Sequence, residues 1–114
     1  MKLDHKLLLK LGPSLMMILF GIDQIINPDV WLPFIPSWLL QISPLSPTNI
    51  MRSHALINVI LGFLLLSGWR DTTVIWVTIL WFVSIIPFTV IVDWTIAVRD
   101  FAVLLGLIAL LQVY

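Results

Sequence analysis

The sequence predicts an all-α membrane protein: a transmembrane four-helix bundle with a Pro/Trp-rich interfacial loop between its first and second helices. Three observations carry that expectation. The chain is 61% hydrophobic and only 11% charged, with a mean hydropathy of +1.10, far outside the range of soluble domains. Predominantly apolar segments recur four times, three of them close to the roughly 20 residues that one crossing of a hydrocarbon core requires and the fourth only if it begins near Trp94. Four such crossings consume about three quarters of the 114 residues, so residues 1–114 form a single domain with no room for a separate soluble one.

The first span is expected at about Leu7–Asn27. The amino terminus has Lys2, Lys6 and Lys10 before an apolar run, but no small-x-small cleavage site follows and Gly12–Pro13 interrupts the run, so the segment reads as a retained helix and not as a signal peptide. Its end is set by Asn27–Pro28, since proline disfavours helical geometry in the residue before it. Residues 28–47 hold five of the seven prolines together with Trp31, Phe34 and Trp38. The apolar pieces between those prolines are too short to cross, which predicts a loop lying on the membrane surface.

Ser46–Pro47 is a helix start, with serine as cap and proline at the first helical position. The second span is expected at about Pro47–Ser67 and stops at Gly68. Gly68–Trp69–Arg70–Asp71 reads as a tight polar turn. Thr72–Val92 is the third span, with a kink at Pro87 whose freed carbonyl Thr89 or a neighbouring helix could satisfy. From Phe101 to Tyr114 only 14 uncharged residues remain, too few at about 1.5 Å each for a core near 30 Å. The fourth span must therefore begin near Trp94 and run to Tyr114, which draws Arg99 and Asp100 inside the membrane boundary.

Six Lys and Arg balance six Asp, leaving no basic excess for nucleic acid and making the lipid bilayer the main partner. The absence of cysteine removes disulfides, thiolate metal sites and C-x-x-C redox chemistry. By the positive-inside bias, Lys2, Lys6, Lys10 and Arg70 place both termini on the cytoplasmic side of a cell membrane, opposite Arg52 and Arg99. Trp31, Trp38 and Trp94 then mark the outer interface and Trp69 and Trp76 the inner one, with Trp81 left near mid-span.

This topology gathers polar residues toward the outer leaflet: Asp23, Gln24 and Asn27 on the first helix, Arg52, His54 and Asn58 on the second, Asp93 after the third, Arg99 and Asp100 on the fourth. Charge in a bilayer is costly, so these groups should face the bundle interior and pair, Arg52 or Arg99 with Asp23, Asp93 or Asp100. The cluster reads either as structural ion pairing or as a ligand or proton site. His54, Asn58 and Gly62 share one helix face, with the glycine allowing a close neighbour. His54 is either a hydrogen-bonded packing residue or a proton relay or quinone contact. Arg52 points about 160° away from it but can snorkel. Arg99, Val103, Gly106 and Leu110 share a face, which favours an inward Arg99. A b-type haem lacks a second intramembrane histidine, because His5 and His54 lie at opposite ends. Asp23, His54 and Asp93 have no recognisable metal-ligand spacing.

The segments ILFGIDQIINPDVWLPFIP, HALINVILGFLLLSG and VRDFAVLLGLIALL, in that order over most of the chain, resemble the DoxX-like family of small four-helix membrane proteins. That resemblance implies Asp23, Asn27, Pro28, Arg99 and Asp100 as the positions shared with the family. Related proteins include a small subunit of an archaeal thiosulfate:quinone oxidoreductase and partners of other membrane redox assemblies. It implies a non-catalytic accessory subunit of a membrane-bound oxidase, quinone oxidoreductase or monooxygenase, with no intrinsic cofactor, a quinone or lipid as the possible bound molecule, and other membrane subunits or self-association as partners. The alternative, from the residues themselves, is a small carrier or binding protein whose charged outer-leaflet pocket takes a solute, lipid head group, quinone or proton. A third reading has Asp23 and His54 perform acid–base work on a quinone or sterol-like substrate.

Overall fold

The computed structural model describes residues 5–114, and Lys2 lies outside them. Four long helices carry the fold: α1 (His5–Ile26), α4 (Pro47–Ser67), α5 (Asp71–Val92) and α6 (Trp94–Leu111). All four are long and apolar enough to cross a membrane. The molecule is 49 Å long, enough to pass through a hydrocarbon core of about 30 Å and into both head-group layers. Both described chain ends lie at one end of the bundle, called the terminal end below. The segment between α1 and α4 closes the other, the loop end.

The α1 helix continues through Pro13 and stops where the sequence places its end. Asn27 has φ −122° and ψ 61°, outside helical geometry, and its amide donates to the Asp23 carbonyl at 2.7 Å. The expected interfacial loop is not irregular. It folds as a one-turn helix α2 (Pro28–Trp31), a 3₁₀ turn (Leu32–Phe34) and a short helix α3 (Ser37–Ile42). Pro28, Pro33 and Pro36 stand at or just before helix starts, where a missing N–H costs nothing. Trp38 and Ile42 are exposed, as an interfacial segment requires. Trp31 corrects the aromatic-belt expectation, since it is buried and turned into the bundle.

Ser46 caps α4 by accepting from the Asn49 amide at 3.2 Å. Gly68 closes the helix at φ 80°, a left-handed conformation that glycine adopts without penalty. Arg70 is also left-handed, at φ 45°, so three residues reverse the chain. The next helix takes in Asp71, one residue earlier than the uncharged run suggested, because a carboxylate in the first turn faces the positive end of the helix dipole. Pro87 lies within α5. Thr89 donates to the Ile86 carbonyl at 2.9 Å, not to the Val83 carbonyl that Pro87 frees. Asp93 caps α6, accepting from the Thr95 amide at 3.0 Å and its hydroxyl at 2.5 Å. The Thr95 hydroxyl is the main reason its carboxyl is held below the usual range. The helix ends at Leu111 and not Tyr114, yet its 18 residues still reach about 27 Å.

The helices pack as two intimate pairs, α1 with α4 and α5 with α6. Gly21 and Gly62 set the first. A Cβ on Gly21 would lie 3.0 Å from the Ala55 carbonyl oxygen and 2.6 Å from Val59 Cγ2, and one on Gly62 would lie 3.0 Å from the Ser14 carbonyl oxygen. These backbones therefore meet only because both residues lack side chains. Gly106, expected to serve α6 in the same way, has nothing within 4 Å of its Cβ position. The buried face of α6 instead carries Ala97, Asp100, Leu104 and Leu107.

The two pairs join through a close-packed core: Met17, Leu61, Leu65, Val74, Ile75, Ile79, Leu104, Leu107 and Leu110. These residues come mainly from the terminal halves of α4, α5 and α6. Below them Lys10, only 7% exposed, donates to Asp71 Oδ1 at 2.9 Å and ties α1 to α5. Tyr114 packs beside this pair, with Lys6 Nζ 4.4 Å and Lys10 Nζ 5.5 Å from its ring centroid, a cation–π arrangement. Burial there pushes the Tyr114 phenol above its ordinary pKa.

Gly62→Ala is expected to lower the melting temperature in detergent, with overpacking costing about 1–2 kcal/mol. Gly106→Ala should raise it slightly, since alanine is the better helix former by roughly 0.5–1 kcal/mol. Lys10→Met alone should cost about 1–2 kcal/mol by taking a charge-assisted bond from Asp71, which keeps Tyr114 beside it, and Lys10→Met combined with Asp71→Leu should recover most of it. Thermal unfolding of the four variants beside the parent checks both expectations.

Candidate functional site

The close-packed core does not extend to the loop end. There α4 and α5, joined by only three residues at the terminal end, touch lightly. Between the two helix pairs lies a cavity of about 400 Å³, within the range of small-molecule sites. Phe20 of α1, Met51 of α4, Phe82 and Phe88 of α5, and Trp31 and Phe34 of the loop segment give it apolar, largely aromatic walls.

The roof is positioned by Asp23. Its Oδ2 accepts from the Trp31 indole N–H at 2.9 Å and its Oδ1 from the Asn27 amide at 3.1 Å. This folds α2 back over the bundle and lays Trp31 edge-on against Phe20, ring centres 5.9 Å apart, and tilted against Phe34 at 5.6 Å. Asp23 and Asn27 thus shape the cavity without lining it.

One wall is a hydrogen-bonded chain across three helices. The Asn58 amide donates to Gln24 Oε1 at 3.1 Å, and Asn58 Oδ1 accepts from the Trp81 indole at 2.7 Å. Trp81, otherwise unexplained at mid-span, is fixed by this bond, and His54 stacks on its ring with centroids 4.8 Å apart and planes 29° from parallel. His54 and Asn58 reach one wall because they are four residues apart on α4.

The opposite wall carries the charges. Asp100 is 2% exposed, and Arg99 Nε and Nη2 donate to its Oδ1 at 3.2 and 2.9 Å. The guanidinium carbon lies 4.2 Å from the Phe20 ring centre. The inward residue of α6 is therefore Asp100, with Arg99 reaching round from the flank. The two are 100° apart on the helix, and only arginine has the length to close that angle. Both donors fall on Oδ1, so Asp100 Oδ2 and Arg99 Nη1 keep hydrogen-bonding capacity, as does the His54 imidazole.

Of the nine polar residues singled out in the sequence, Gln24, His54, Asn58, Arg99 and Asp100 converge on the cavity. Arg52 does not join them. It is exposed, and its Nε lies 3.4 Å from the Ile25 carbonyl oxygen at the end of α1, where a cation meets the negative end of the helix dipole. Asp93 is spent on its capping bonds. Among the described residues no three histidine or acidic side chains converge as a metal site would need, and Asp23, His54 and Asp93 stay apart. No family model, curated protein or solved structure matches the chain.

Asn58→Leu is expected to strand Gln24 and the Trp81 indole, costing about 1–2 kcal/mol in the membrane setting. It should also blue-shift part of the tryptophan emission as Trp81 loses its acceptor. Ser53→Ala, on the exposed face of α4, should do neither.

Proposed function

We propose that this chain is a small membrane-embedded binding protein that holds one neutral amphiphile in the cavity between its helix pairs. The observation that carries the reading is the pairing of an apolar, aromatic cavity of about 400 Å³ with a few convergent polar groups: His54, Arg99 and Asp100. Arg99 and Asp100 cancel in charge, so with a neutral imidazole the cavity carries no net charge and suits a ligand that has none. Flat walls from Trp81, Phe20 and Phe88 suit a ring, and the free hydrogen-bonding capacity suits a carbonyl or hydroxyl on it. Quinones have that chemistry, and the DoxX-like resemblance of the three sequence segments supports naming them. The acid–base reading loses its pair, because Asp23 is engaged by Trp31 and Asn27 outside the lining. We place the protein in the cell membrane with both termini cytoplasmic, on the strength of Lys6, Lys10 and Arg70 at the terminal end.

An accessory subunit of a redox complex is the second reading. The observation in its favour is a shallow apolar groove on the lipid side of α5 and α6, lined by Ile86, Val90, Trp94, Ala97, Val98 and Phe101, where a helix of another subunit could lie. Native purification followed by mass spectrometry tests it: reproducible co-purifying membrane subunits support it, and recovery of this chain alone overturns it.

For the binding reading, a short-chain benzoquinone added to the protein in lipid nanodiscs should raise the melting temperature by several degrees, since ligand at 100 times its Kd contributes about 2.7 kcal/mol. Arg99→Ala, still helical and inserted, should lose most of that rise. An equal rise in the variant, or none in the parent, overturns the assignment.

A further inference from the structure

Most residues that line the cavity are buried or half-buried, but Trp38 of α3 and Ser84 of α5 are exposed, Trp38 to 53%. The cavity therefore opens on the side that α3 and α5 share. The level of that opening follows from helix geometry. Ser84 lies thirteen residues beyond Asp71, so at about 1.5 Å per residue it stands about 20 Å from the terminal end, well inside a core of about 30 Å. Its neighbours on α5, Leu80, Val83 and Val90, are exposed apolar side chains of the kind that faces lipid. The upper rim is different in character. Helix α3 has no extensive contact with any of the long helices, and it presents Trp38, Leu40 and Ile42 outward.

Volume adds a second constraint. A space of about 400 Å³ lies at the small end of ligand sites and suits a ring-bearing head, while an apolar tail on that head finds its solvent in the lipid beyond the opening.

We propose that the gap between Trp38 and Ser84 is a side door to the bilayer, through which a tailed amphiphile enters head first and leaves its tail in lipid. The proposal rests on the cavity being a binding site and assigns its ligand class: a compact, neutral head bearing one apolar tail, drawn from the membrane and not from water. Ser84 is the position where the tail crosses the wall, and Trp38 sits over it as an interfacial flap. The head lies between the His54–Trp81 stack and the Arg99–Asp100 pair.

The test uses the full chain in nanodiscs and two probes, a decyl-substituted dimethoxy-methyl-benzoquinone and the same benzoquinone without the tail, read by thermal stabilisation over a concentration series. Ser84→Trp should weaken the tailed probe by about tenfold or more while leaving the tail-less head within about twofold. Leu80→Trp, a lipid-facing control on the same helix that does not line the cavity, should leave both unchanged. If Ser84→Trp does not insert, Ser84→Leu carries the same comparison. Equal effects on both probes, or no effect on either, overturn the side door while leaving the binding site standing. Failure of the parent protein to be stabilised by either probe overturns the binding site itself, and the door with it.

Discussion

The rest of the structure depends on how closely α1 and α4 approach. With Gly21 and Gly62 bringing backbone within reach of backbone, α4 is committed to α1, although its nearest neighbour in sequence is α5. The α5 helix, held to α4 by a three-residue turn, is left to pair with α6. Here the two tight pairs are not close-packed along their whole length. They meet well at the terminal end, where the turn and the Lys10–Asp71 bond draw them together, and part toward the loop end. A space at that level follows from the pairing and needs no special device to open it.

The polar residues follow from the same arrangement. Hydrocarbon offers no partners, so a polar group at membrane depth must find one inside the protein. At the terminal half apolar side chains fill most of the interior, around Ser14, Thr78 and the Lys10–Asp71 pair. At the loop half the interior is a chamber, and its polar walls satisfy most of their own needs: Gln24, Asn58 and Trp81 in one chain, Arg99 with Asp100 in another. What they leave over is the chemistry available to a ligand.

Much of this was legible in the sequence, for a physical reason. Span number and the ends of α1 and α4 are written locally, in apolar run length and in Asn27–Pro28, Ser46–Pro47 and Gly68. The intramembrane position of Arg99 and Asp100 follows from arithmetic on helix length. A charged pocket at this level was expected, but its walls were not legible, because they lie between helix pairs whose identity depends on which glycine meets which backbone. Nothing in the spacing tells Gly62, which packs, from Gly106, which does not. Pairings across helices were illegible likewise. Lys10 read as a topology signal and proved to be a buried partner of Asp71, Trp31 read as a belt residue and proved to be the roof, and Arg52 found a backbone carbonyl instead of an acid. The polar cluster pointed to the site through Gln24, His54, Asn58, Arg99 and Asp100, while Trp81, left at mid-span by the sequence, proved to belong to its wall.

The exposure of Ser84 at hydrocarbon depth also bears on energetics. A chamber that opens sideways into lipid is bathed by acyl chains, so occupation by any ligand is an exchange, with one chain end leaving as one head group arrives. Affinity measured in such a system is a ratio of two solvations by the same membrane. Chain unsaturation, sterol content and bilayer thickness enter that ratio directly, and a protein that is selective in one membrane can be indifferent in another without a change in any side chain.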